Sequence, residues 1–119
     1  MRNVLRNTLI LAALAGCSVA GATAAKADVI RIATVVAENQ ADYANNVALI
    51  PTFEALLKKG TDLKAAYFGT DAEKLTFVTT SVWPNEADIK SVTDTADWKA
   101  AAAKLKHKTY TVEIFQVVP

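Results

Sequence analysis

Leu75-Thr-Phe-Val-Thr-Thr-Ser-Val-Trp83, then Pro84-Asn85, then Glu86-Ala-Asp-Ile-Lys-Ser-Val92 and Thr95-Ala-Asp-Trp-Lys-Ala-Ala-Ala-Ala-Lys-Leu105 is the stretch from which the fold can be read. Its first part is dense in β-branched and aromatic residues, which fit a pleated, half-buried strand. Pro84-Asn85 ends that strand, and Glu86 to Val92 has the length of a short helical turn. Thr95 is a good N-cap for a second helix, because its hydroxyl can accept from a backbone N–H that has no partner in the first turn. Asp97 suits that positive helix end, and Ala100 to Ala103 are strong helix formers that allow close packing. Lys104, Lys106 and Lys108 crowd the C-terminal end of the helix, and Thr109 to Val118 reads as another strand.

Working outward, Asp28 to Ala37 is a strand with Val29, Ile30, Ile32, Val35 and Val36, apolar on both faces in its second half as in a central strand. Tyr43, Val47, Ile50, Phe53 and Leu57 then recur at steps of three or four, with Leu49 and Leu56 widening the stripe of a helix. Pro51 lies inside it, where a proline removes a backbone bond at a cost of about 3 kcal/mol. The chain either kinks there or divides into two helices. The stripe keeps phase across Pro51, which favours the kink. Lys58-Lys59 suits the negative end of the helix, and Gly60 is positioned for a left-handed cap. Leu63 to Phe68 is a second strand and Gly69 to Lys74 a polar turn, so this strand and Leu75–Trp83 form a hairpin. The order β-α-β-β-α-β is the ferredoxin-like, split βαβ plan of an α+β domain, with a four-stranded antiparallel sheet and two helices on one face. Phe77 faces one way along its strand and Val78 and Val82 the other, while Ile114 and Phe115 also face opposite ways. The side without helices is therefore apolar too, and a second sheet, from another copy of the chain, would cover it.

The N-terminal segment has a different composition. Arg2 and Arg6 precede the apolar run Leu9 to Ala15, and small residues lead to Ala25-Lys26-Ala27, the layout of a secretory signal peptide cleaved ahead of Asp28. The segment Thr8 to Ala25 is near the lower limit for spanning a bilayer, but it is rich in Ala, Gly and Ser and only weakly apolar. Leu14-Ala15-Gly16-Cys17 inside it also fits a bacterial lipobox, in which Cys17 would carry a lipid and become the first mature residue. Both routes take the domain out of the cytoplasm, either to the periplasm or exterior or to a lipid anchor on the envelope. The expected organisation is an export signal over residues 1–27 and one domain over 28–119. Removing Arg2, Arg6 and Lys26 leaves ten basic and twelve acidic residues, a net charge of −2 with no field to hold nucleic acid. No Cys remains after Cys17, so neither disulfides nor thiol chemistry supports the domain, and dimer formation is one of the remaining routes to stability.

Across nearly all of Asp28 to Val118, and most clearly at Ser81-Val-Trp-Pro-Asn-Glu-Ala-Asp88 with Asp97-Trp-Lys99, the chain resembles the antibiotic-biosynthesis-monooxygenase-like (ABM) domains. The resemblance implies a dimeric α/β barrel whose protomers each bind a ligand between helices and sheet. Members include cofactor-free oxygenases acting on polyketide-like aromatics, haem-degrading enzymes and domains without known activity. The haem-degrading members use a helix His as iron ligand, a Trp that distorts the porphyrin and a first-strand Asn. Here the matching helix is Asp97 to Ala103 with Ala in place of that His, the Trp position falls near Val92, and Asn39 matches only loosely. The resemblance therefore implies no cofactor. Implied pocket residues are Tyr43, Asn45, Asn46, Tyr67 and Trp83, with Trp83 and Tyr67 shaping the site, although a strand-end Trp also serves as plain packing and Tyr as a half-buried wall. Trp98 fits a helix anchor.

His107 is the only histidine, so a His-based metal cluster is excluded. Its setting, Lys104-Leu-Lys-His-Lys108, fits an exposed loop residue, or else a general base or anion contact at a pocket mouth. Glu86, Asp88, Asp94 and Asp97 match no Ca²⁺-loop spacing and read as helix-start carboxylates. Two functions stay open: a cofactor-independent monooxygenase acting on a small aromatic or quinone-like compound, and a non-catalytic ligand-binding or stress-associated dimeric module of the cell envelope.

Overall fold

The computed structural model describes residues 27–60 and 62–118. The export signal, the lipobox reading and Cys17 lie outside these residues. The chain runs β1 (Val29–Val36), α1 (Gln40–Ala48), α2 (Ile50–Lys58), β2 (Ala65–Asp71), β3 (Thr76–Trp83), α3 (Glu86–Thr93), α4 (Ala96–Ala103) and β4 (Thr109–Gln116). The strands form one antiparallel sheet in the order β2-β3-β1-β4, the ferredoxin-like arrangement, so β1 is central as its composition predicted. No helix among the described residues is long and apolar enough to cross a membrane.

The period-two alternation of strands fixes which side chains share a face. Val29, Arg31, Ala33 and Val35 on β1 stand directly beside Trp83, Ser81, Thr79 and Phe77 on β3, and all eight are buried beneath the helices. Ile30, Ile32, Val78 and Val82 occupy the opposite face, only partly buried, with Phe115 and Tyr67 exposed beside them. The expected division of Phe77 from Val78 and Val82, and of Ile114 from Phe115, is therefore present, and the second face, which no described helix covers, mixes these apolar residues with Thr34, Thr80, Thr111 and Glu113.

The first predicted helix is built from two segments, α1 and α2, while the short helical turn and the second helix are α3 and α4. Asn39 caps α1 by accepting from the Asp42 amide, Asn85 caps α3 through the Asp88 amide, and Thr95 caps α4 through the Trp98 amide, as its position predicted. Pro51 does not kink one helix: it sits in the first turn of α2, where its missing N–H has no partner to lose. Leu49, between α1 and α2, keeps right-handed helical torsions (φ −83°, ψ −12°). The apolar stripe stays in phase across the break for that reason, so phase did not discriminate between the two arrangements.

Two further expectations are corrected. Gly69, Thr70 and Asp71 continue β2 instead of forming the turn, and the reversal is made by residues 72–75. The Asp71 carboxylate accepts from the amides of Glu73 and Lys74, and Leu75 takes the left-handed conformation (φ 53°) that completes the reversal. Gly60 does not adopt a left-handed cap. Its value is spatial, because a Cβ there would lie 2.9 Å from both Trp83 and Val92. The core formed beneath the helices contains Phe53, Leu57, Phe77, Trp83, Ile89, Val92, Trp98 and Leu105.

Candidate functional site

Asn46 illustrates how sequence type and role can part. It is buried on α1, its amide nitrogen donates to the Lys106 carbonyl (2.8 Å) and its oxygen accepts from the Lys106 amide (2.9 Å). Asn45 adds a bond to the Lys104 carbonyl. The pair ties α1 to the α4–β4 connection, and the Asn46 side chain is committed to that tie rather than turned toward a ligand.

Trp83 has no exposed surface, and its indole N–H donates to the Ser81 hydroxyl at 2.9 Å. Tyr67 pairs with Thr80, hence lies on the face away from the helices, and is 67% exposed. The two side chains point to opposite sides of the sheet, so they do not shape one wall together. Tyr43 is half-buried on α1. His107 is exposed, its ring edge-on to Tyr110 at 5.5 Å, in a loop whose Lys108 amide donates to the Val36 carbonyl. Trp83 is beside Val29, at the other end of β1, roughly 20 Å away at 3.3 Å per residue. Tyr43, Asn46, Tyr67 and Trp83 are thus not brought together as one pocket.

What the structure does bring together lies at the centre of the sheet, on the helix side. Arg31 is 5% exposed, and among the described residues no acceptor hydrogen-bonds to its guanidinium and no carboxylate pairs with it. Its Cζ lies 5.3 Å from the centre of the Trp98 ring, a cation–π contact. Trp98 in turn meets Phe53 edge-on at 5.0 Å, and Phe53 leans on Phe77 at 6.4 Å, which fixes the indole as the predicted helix anchor. The strand partner of Arg31 on β3 is Ser81, whose hydroxyl already accepts from Trp83. On its other side, in β4, stands Ile114. Ile114 and Val112 face the helix side yet are 36% and 40% exposed, so the helical layer stops short of β4 and leaves an open apolar flank next to Arg31 and Trp98.

Arg31 was not among the residues singled out from the sequence, although a signal existed. It is the one charge inside β1 and shares the inward phase of Val29, Ala33 and Val35. The acidic residues behave as helix-start carboxylates: Glu86 and Asp88 lie in the first turn of α3, and Asp97 in that of α4. Asp88 is held above the ordinary carboxylate range by loss of solvent and by the neighbouring Asp62 carboxyl, against a smaller opposing effect of Asn85. Among the described residues no group of His, Cys, Asp and Glu is arranged to hold a metal.

No protein-family model matches the sequence, and no curated protein matches it. Solved structures do. SnoaB from Streptomyces nogalater, described as a cofactor-independent oxygenase, superposes with a TM-score of 0.67 at 10% identity, covering 78% of this chain and 95% of that one. A structure described as an antibiotic biosynthesis monooxygenase gives 0.61 at 18% identity over 76% and 99%. Rv0793 from Mycobacterium tuberculosis gives 0.67 at 10% identity over 77% and 96%. At these identities the likeness establishes the ABM-like fold.

Proposed function

We propose that, on this ABM-like fold, the chain is an exported homodimeric domain that binds a small aromatic or quinone-like molecule between its helices and the β1–β4 half of its sheet. The observation that carries the reading is the flank where Val112 and Ile114 stay exposed on the helix side, beside the Trp98 ring and the buried Arg31. A flat apolar ligand laid there covers both aliphatic side chains and meets the aromatic row at its edge. The helix-free face, with Ile30, Ile32, Val78, Val82 and Phe115, supports pairing of two sheets.

Cofactor-independent oxygenation is the reaction this reading favours, because SnoaB, of the same fold, is described as an oxygenase of that kind. In such chemistry the deprotonated substrate is itself the electron source for dioxygen, and the protein contributes orientation and stabilisation of the anion. The second reading, a non-catalytic binding module, is supported by the placement of Asn46 and Trp83 in structural roles. Oxygen uptake by the purified protein with a panel of hydroquinones and hydroxylated anthrones separates the two. Uptake above the protein-free rate, with an oxygenated product in the mass spectrum, supports the enzyme. Binding of the same compounds without uptake leaves the module.

A further inference from the structure

Among the described residues the Arg31 guanidinium has neither a hydrogen-bond acceptor nor a carboxylate partner. A guanidinium carries five N–H donors in one plane. Burying such a charge without a partner is costly, and a cation–π contact with one ring satisfies none of the in-plane donors. The polar groups beside it on β3 are hydroxyls, Ser81 and Thr79, and Ser81 is already engaged by Trp83. Its other side is the open apolar flank of Val112 and Ile114. A buried cation whose planar donors meet no acceptor among the described residues, at the end of an apolar surface, is half of a recognition site.

We propose that Arg31 is the anion-recognition residue of this site and that the ligand is a small aromatic carboxylic acid. The inference rests on the binding site proposed above and deepens it by naming the ligand's acidic group. A carboxylate offers two oxygens in one plane, which match the guanidinium fork. It also arrives already ionised. The only histidine, His107, lies in the loop beyond the far end of the β4 flank, next to Tyr110. Along β4 the helix-side positions between them are Val112 and Tyr110, so a ligand anchored at Arg31 has roughly 13 Å of mainly apolar strand to lie on. That length accommodates one or two fused rings and excludes a long chain.

The test is calorimetric titration of the purified mature protein with cinnamate and with cinnamamide, which share shape and differ in charge. Cinnamate is expected to bind at least about tenfold more tightly, as a charge-assisted fork predicts. Arg31→Met is expected to abolish that difference and Arg31→Lys to keep part of it. Arg31→Met is also expected to raise the melting temperature by about 4 °C or more, since an apolar side chain of similar length removes a buried charge that has no counter-charge among the described residues. Equal binding of acid and amide would overturn the assignment of Arg31 while leaving the binding site standing. Binding of neither would overturn both. A melting temperature lowered by Arg31→Met would show that the guanidinium has a structural partner, and the proposal would fail on that ground alone.

Discussion

Phe77, Thr79, Ser81 and Trp83 on β3 are all buried by the helices, whereas Val112 and Ile114, on the same side of the same sheet in β4, keep more than a third of their surface. The β3 half is fitted closely enough that Gly60 has no room for a methyl group against Trp83. The β4 half leaves apolar surface unburied and holds, at the boundary between the two, Arg31, which has no counter-charge among the described residues. Free energy is gathered on one side and left ungathered on the other. The contrast therefore separates the part of the layer that holds the fold from the part available to a ligand.

Trp83→Ala should break the comparison most severely, since it empties the most buried large side chain and leaves the Ser81 hydroxyl without its donor. A loss of about 3–5 kcal/mol in urea-induced unfolding is expected. Gly60→Ala should cost about 1–3 kcal/mol in the same measurement by overpacking, because the new Cβ meets Trp83 and Val92. On the open side, Ile114→Ala should cost about 1 kcal/mol or less while weakening ligand binding, the reverse of the pattern for Gly60→Ala. If Ile114→Ala proves as costly as Trp83→Ala, the open flank is core and the distinction is lost.

The smallest effect expected concerns Asp62 and Asp88, which belong to neither half. The folded pKa of Asp88 is raised, so its stabilising contribution is present below the unfolded value of 3.8 and is lost as pH rises through the folded value. Asp62→Asn should therefore raise the melting temperature slightly near neutral pH and leave it unchanged in acid. A gain in acid would assign the effect to something other than charge repulsion.

Most of the fold was legible because strand and helix signals were strong and mutually consistent. Pro84-Asn85, Thr95 and the alanine run fix their elements locally. The misreadings share a different origin, in that they depend on what a residue meets far along the chain. Gly60 was read for its own torsions, but the reason for it is the ring of Trp83, over twenty positions away. Tyr67 and Phe68 are adjacent aromatics, and only the register against Thr80 and Thr79 decides which one faces the helices. Asn46 looked like a pocket amide until its two partners on Lys106 were seen. Arg31 was passed over because a single charge in an apolar strand draws less notice than a motif. Its burial depends on Trp98, which only tertiary packing places above it.

The pairing of β1 has a consequence for the time course of folding. Val29 lies opposite Trp83 on one side and Gln116 on the other, so the first of the described strands is bonded along its whole length to the last of them. Half of the β1 ladder cannot form until residues 109–116 have left the ribosome. Until then the central strand carries an open edge, and the sheet can only partly assemble. A chain wired this way completes its sheet only once its last strand is free to pair.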